Sequence, residues 1–172
     1  MIISDFVHIS VLTRLDLSAA FDTIDHYLLM DRLKYAFGIR GTALAFFFMS
    51  YASERKQIVS VLGRESELSY LLNGVLQGSL LGPILFILYT PPLSNIVERH
   101  SALHHIFVDD TELYNLAPRF SIDSLFCNME NCVIDVQKWT IHNKLQLNED
   151  KTEDLLFDPS KFSDHPDVLT IG

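Results

Sequence analysis

From His8 to Leu17 the chain is mostly apolar and rich in branched side chains, the pattern of a buried strand. Ser18–Ile24 reads as the turn leaving it. Asp25 then predicts a helix N-cap, with Leu28, Leu29, Leu33, Ala36 and Phe37 on one stripe and Gly38 placed to stop the helix. Gly41–Ala52 predicts a second, very apolar helix. Gln57–Leu62 and Leu68–Val75 predict two short strands around Gly63. Pro83–Ile96 predicts a further helix, since proline is tolerated in a first turn. Leu103–Val108 and Glu112–Leu116 are strand-like, with Asp109, Asp110 and Thr111 between them, so a hairpin with acids at its tip is expected. Ile122, Leu125, Phe126, Met129, Val133 and Val136 trace a long amphipathic helix. A turn at Asn148–Asp150 and a strand at Thr152–Phe157 follow. Beyond Asp158 the chain is polar and contains proline, which predicts a frayed tail. The mixture of helices and strands around a hairpin gives the expected class: α+β, with a mainly antiparallel sheet.

Composition narrows the functional classes. The 172 residues suffice for one domain with a buried core, and 48% apolar with 20% charged content excludes a disordered chain. A formal net charge of -9 by itself argues against a nucleic-acid-binding surface, because neutralising phosphates takes clustered Lys and Arg. Cys127 and Cys132 do not form a CxxC pattern, so free thiols in a reducing compartment are expected. The first ten residues lack a basic region of the secretory type. The longest apolar run, Leu80–Tyr89, is interrupted by Gly82 and Pro83 and is too short to span a bilayer. The expectation is a soluble intracellular protein, cytoplasmic or nuclear, with no membrane partner.

Two acidic clusters carry the candidate chemistry: LDLSAAFD, Leu15 to Asp22, and FVDD, Phe107 to Asp110. Each places a carboxylate at the end of a predicted strand, and two strand ends side by side would bring Asp16, Asp109 and Asp110 together. At about 4 Å and an effective dielectric near 20, each pair of carboxylates repels by roughly 4 kcal/mol. Cations relieve that repulsion, and hard oxygen ligands suit Mg²⁺. Taken alone, an Asp-Asp pair is the mark of a solvated turn. His104 and His105 precede the acids, but in a strand they face opposite sides, which disfavours a zinc site. Asp22, Asp25 and His26 read as turn and cap residues, and Trp139 as core.

Four segments occur together and in order: LDLSAAFDTIDH, VLQGSLLGPILFILY, FVDDTELY and WTIHNKLQLNEDKTE. They resemble the successive palm motifs of reverse transcriptases encoded by LINE-type, non-LTR retrotransposons, and the resemblance spans Leu15 to Phe157. It implies an RNA-directed DNA polymerase palm that adds dNTPs to a DNA 3′ end with two Mg²⁺ or Mn²⁺ ions. Its partners would be an RNA template and a DNA primer. By the resemblance, Asp16, Asp109 and Asp110 are the metal ligands. Phe21 is the bulky residue that excludes a ribose 2′-hydroxyl. Gln77 and Gly78 contact the nascent base pair, and Lys151 lies near the triphosphate as a proton donor or charge stabiliser. The implied organisation is a palm over residues 1–158, with a partial fingers insertion near 41–75 and a disordered tail over 159–172. Upstream fingers segments and a thumb are missing, as in a fragment, and the basic grooves would lie largely in those parts.

The departures from that pattern are Leu76 where the family has proline, Val108 where it has alanine, and Arg14 where it has an apolar residue. Alternation puts Arg14 on the same strand face as Asp16, so its guanidinium is expected to pair with that carboxylate and compete with metal. The competing readings are an inactive retrotransposon remnant that serves as a structural or interaction domain, and a metal-dependent phosphohydrolase using the same acids.

Overall fold

The computed structural model describes residues 8–49, 53, 55–76 and 78–159, and the backbone of 169–171. In chain order the elements are β1 (His8–Leu15), α1 (His26–Tyr35), α2 (Gly41–Phe47), β2 (Lys56–Gln57), β3 (Ser60–Val61), β4 (Arg64–Glu65), β5 (Ser69–Tyr70), α3 (Leu81–Tyr89), α4 (Pro91–Arg99), β6 (Leu103–Phe107), β7 (Asp110–Pro118), α5 (Ile122–His142), β8 (Glu153–Phe157) and β9 (Leu169–Ile171). They divide into two compact units. One comprises residues 1–18, 91–142 and 146–172; the other comprises 19–90 and 143–145.

The first unit is a five-stranded sheet in the order β6-β7-β1-β8-β9, with α4 and α5 packed on it. Every pairing is antiparallel. Alternation along β1 and β7 puts Ile9, Val11, Thr13, Leu15, Thr111 and Leu113 on one face, all buried. Each such aliphatic side chain contributes about 1.5–3 kcal/mol by leaving water. The facing helix α5 supplies Leu125, Met129, Cys132 and Val136, spaced at three and four residues as an apolar helix face requires. Thr13 and Thr111 are the threonines of that face, and the Thr13 hydroxyl donates to Asp154 Oδ1 at 2.5 Å. The opposite face carries the rows Leu103–Tyr114–Leu12–Leu155 and His105–Glu112–Arg14–Glu153.

The second unit holds α1, α2, α3 and two small hairpin ladders, β2 with β5 and β3 with β4. Asp25 caps α1 as predicted, its Oδ1 accepting from the backbone N–H groups of Tyr27 and Leu28. Gly38, at φ +71°, ends the helix, and Ile39 N–H returns to the Leu33 carbonyl. Leu29 and Leu33 face inward, whereas Ala36 and Phe37 are exposed. The core is completed by Ile24, Leu85, Phe86 and Tyr89.

Three sequence expectations change. The helix expected over Pro83–Ile96 is two helices, broken at Thr90. Pro91 has no N–H to continue the ladder, and Thr90 closes α3 as its C-cap at φ -99° and ψ -2°. The two strands expected around Gly63 are four two-residue pieces, because every residue from Lys56 to Tyr70 is exposed and no core face extends them. Within the expected disordered tail, Leu169–Ile171 pairs with β8. An apolar, branched segment there satisfies backbone groups that an edge strand would leave open. No helix among the described residues is long and apolar enough to cross a membrane.

Burial sets the expected response to truncation along β7. Leu113→Ala, at a fully buried position, should cost about 2–5 kcal/mol in urea unfolding. Leu116→Ala, on the opposite face at 55% exposure, should cost less than about 0.5 kcal/mol.

Candidate active site

The placement of the acids follows from register. β1 and β7 run antiparallel with Leu15 opposite Thr111, so Asp16, which follows Leu15, and Asp110, which precedes Thr111, lie at the same end of the pair. Phe107 pairs with Asp110, leaving Val108 and Asp109 as the two-residue turn of the β6–β7 hairpin. All three aspartates therefore leave the same end of one sheet, though Asp16 is far in sequence from Asp109 and Asp110. Val108 sits at φ +59°, a strained conformation for a branched side chain, directly before Asp109.

The carboxylates leave that end without closing into a cluster. Among the described residues no group of three or more His, Cys, Asp or Glu side chains is close enough to hold a metal ion. Their mutual repulsion, roughly 4 kcal/mol per pair at about 4 Å, opposes such closure until a cation is present. The donor set nonetheless fits a hard divalent ion, being carboxylate oxygen throughout. A cation also stands at Asp16 already: Lys151 Nζ lies 3.3 Å from its Oδ2. Asn148 Nδ2 donates to the same oxygen at 3.1 Å, and Asn148 N–H donates to the Asp16 carbonyl at 2.9 Å. Leu17 forms a bridge with Leu147, and Ser18 N–H donates to the Gln146 carbonyl at 2.8 Å. The segment after α5 thus lies alongside the end of β1.

Arg14 departs from expectation. Its guanidinium pairs with Glu112 at 3.5 Å and not with Asp16. Arg14 stands directly across from Glu112 on β7 and Glu153 on β8, whereas Asp16 lies two residues further along the same strand. The pair is half-exposed and worth at most about 1 kcal/mol. Of the two histidines before the acids, His105 shares the Glu112 row and His104 the Leu113 row on the other face. Cys132 is no nucleophile: burial, and then the nearby Asp135 carboxylate, push its thiol up to about 11.

In the second unit, the backbone carbonyl of Phe21 accepts from Val75 N–H at 2.7 Å, and the Phe21 ring packs against Phe86 with centroids 5.6 Å apart. Gly74 locks this region. Its N–H donates to the Ile24 carbonyl, and its own carbonyl meets His26 Nε2 at 2.7 Å and Arg55 Nη1 at 3.0 Å. A Cβ at Gly74 would lie 2.8 Å from the Asp22 carbonyl oxygen, and φ is +85°. Gly78 also has positive φ, +82°, in open space, so its conformation rather than crowding calls for glycine. Gln77 lies outside the described residues. Leu76 is anchored despite lacking the family's proline: its carbonyl accepts the Ser79 hydroxyl at 2.7 Å, and Ser79 Oγ accepts from Gly82 N–H.

Residues 7–166 match the family model described as reverse transcriptase (RNA-dependent DNA polymerase). The chain belongs to this family. The "RNA-directed DNA polymerase from mobile element jockey" of Drosophila melanogaster is 27% identical over 148 residues, covering 83% of this chain and 16% of that protein. The chain therefore spans about a sixth of that relative. Among solved structures, apo telomerase from Candida tropicalis, truncated from its C-terminal domain, superposes with a TM-score of 0.64 at 15% identity, over 87% of this chain and 31% of that one. Telomerase from Candida albicans, in complex with a fragment of telomeric RNA, gives 0.60 at 14% identity, over 93% and 28%. These likenesses establish the polymerase-palm α+β fold.

Sequence reasoning selected Asp16, Asp109, Asp110, Phe21, Gln77, Gly78 and Lys151, but treated Asn148 and His26 only as turn or cap residues and passed over Gly74, Arg55 and Glu112. An N-G pair before the second motif was the available signal for Gly74. Gly74→Ala should destabilise the protein by about 2 kcal/mol or more in thermal or urea unfolding, while Gly63→Ala, with nothing within 4 Å, should pay only for its positive φ.

Proposed function

We propose that this reverse transcriptase chain is the palm of an RNA-directed DNA polymerase, extending a DNA 3′ end against an RNA template by a two-metal mechanism. The observation carrying this reading is the β1–β7 register, which brings Asp16 and Asp110 to one sheet end beside the Asp109 turn. Asp16 and Asp109 would be the principal metal ligands and Asp110 the third. Two Mg²⁺ or Mn²⁺ ions held by these aspartates would supply the Lewis-acid charge that activation of a 3′-hydroxyl and departure of pyrophosphate require. The protein's own part is positioning and electrostatics. Lys151 is half of that electrostatic part: an ammonium beside Asp16 can supply charge or a proton to the departing phosphate. Phe21 would bar a 2′-hydroxyl, its backbone fixed by Val75 and its ring by Phe86. Gln77 and Gly78 would face the nascent base pair.

The deciding experiment is primer extension on an RNA template with Mn²⁺ or Mg²⁺, beside Asp109→Asn. The 172-residue chain, with net charge -9, has no long-range attraction for a polyanion, so little or no extension is expected, and any that is detected should be lost in the variant. Extension that survives Asp109→Asn would refute the assigned site. Phosphoester hydrolysis without extension would favour the phosphohydrolase reading.

Sugar selection gives a second measurement, on this chain or on a longer polymerase containing it. Phe21→Ala should raise ribonucleotide incorporation relative to deoxyribonucleotide by roughly tenfold or more, since removing the ring opens room for a hydroxyl. Unchanged discrimination would reduce Phe21 to a packing residue against Phe86.

A further inference from the structure

We infer that Asn148 is the positioning residue for Asp16, and that the Lys151 ammonium occupies the place of cationic charge at Asp16 until a divalent ion takes it. This rests on the reading of Asp16 as a metal ligand. Asn148 grips Asp16 twice. Its N–H donates to the Asp16 carbonyl at 2.9 Å, fixing the backbone, and its Nδ2 donates to Oδ2 at 3.1 Å, fixing the rotation of the carboxylate. Lys151 Nζ, 3.3 Å away, addresses the same Oδ2. Both donors therefore sit on one carboxylate oxygen, and among the described residues no hydrogen bond or ion pair engages Oδ1. Outer partners that orient a ligating carboxylate in this way govern metal affinity.

The two donors have opposite consequences. The Asn148 amide is neutral, so it orients the carboxylate without competing for its charge. Lys151 is a flexible cation, 67% exposed, against a carboxylate that is 19% exposed, so it can withdraw at small cost when a divalent ion arrives. Released from Asp16, the same ammonium becomes available to an incoming phosphate. The anchoring turn itself does not rest on the Asn148 side chain. The Asn148 N–H bond, the Leu17–Leu147 bridge and the Ser18–Gln146 bond are all backbone, and they survive truncation of that side chain.

The test is Mn²⁺ affinity of the whole chain, read by the electron paramagnetic resonance of free Mn²⁺, with thermal unfolding in parallel. Asn148→Ala should weaken Mn²⁺ binding about tenfold with little change in Tm. Lys151→Met should tighten it roughly threefold, because a competing cation has gone. Opposite signs from two residues of one turn are not produced by simple loss of structure. Asp16→Ala separates the two layers of inference. If it leaves Mn²⁺ affinity unchanged, the metal-ligand reading of Asp16 fails. If Asp16→Ala weakens binding but Asn148→Ala matches wild type, the positioning role alone is overturned. Weaker binding in Lys151→Met would overturn the stand-in role of Lys151.

Discussion

The antiparallel pairing of β1 with β7 is the constraint from which the chemistry follows. Eight residue pairs join the strands, from His8 opposite Pro118 to Leu15 opposite Thr111. Side chains alternate faces, so one slip in register would send Val11, Thr13, Leu15 and Leu113 into water and bury their charged neighbours. The packing of α5 against Thr13, Leu15 and Leu113 thus determines where Asp16 and Asp110 emerge. The same core that stabilises the sheet aligns the acids at its end, and no interaction among the acids themselves is needed. That matters because their mutual interaction is repulsive.

Charge is handled locally around this pairing. With 22 acidic against 13 basic residues, the chain has few cations to place, yet two of them flank the end of β1. Arg14 lies between Glu112 and Glu153 in one cross-strand row, and Lys151 lies on Asp16. The guanidinium that alternation assigns to the face of Asp16 is thus drawn to its direct neighbours, because cross-strand partners sit closer than residues two positions along a strand. Arg14 thus tempers the glutamates next to the end of β1. The -9 balance of the chain speaks only to long-range attraction.

Much of this was legible in the sequence where a single local rule dominates. Asp25 reads as an N-cap because its side chain satisfies the first amides of α1, and the structure shows that bond. The buried strand through Leu15 and the acid-tipped hairpin were visible from apolar runs and from the paired aspartates. What was missed depends on partners distant in sequence. Asn148 looks like any turn residue until its 132-residue separation from Asp16 is closed by the fold. Gly74 matters through the backbone of Asp22, and His26 through the carbonyl of Gly74. The break at Thr90 was legible in Pro91–Pro92 but was outweighed by a strong apolar pattern on both sides.

The second unit shows how a loop of ordinary composition can fix an aromatic ring. Phe21 sits in a turn rather than a regular element, with Asp22 N–H and Thr23 N–H both returning to the Ala19 carbonyl. Ala19 itself is at φ +48°, a conformation a side-chain-bearing residue adopts only when its surroundings demand it. The demand comes from the segment 73–75. Asn73 bridges to Asp25, Gly74 bonds to Ile24, and Val75 bonds to Phe21. Three successive residues thereby clamp the turn from one side, and Phe86 meets the ring from α3. The cost is borne by the backbone, in positive φ at Ala19 and Gly74, and it is offset by buried hydrogen bonds from His26 and Arg55 to the carbonyl of Gly74.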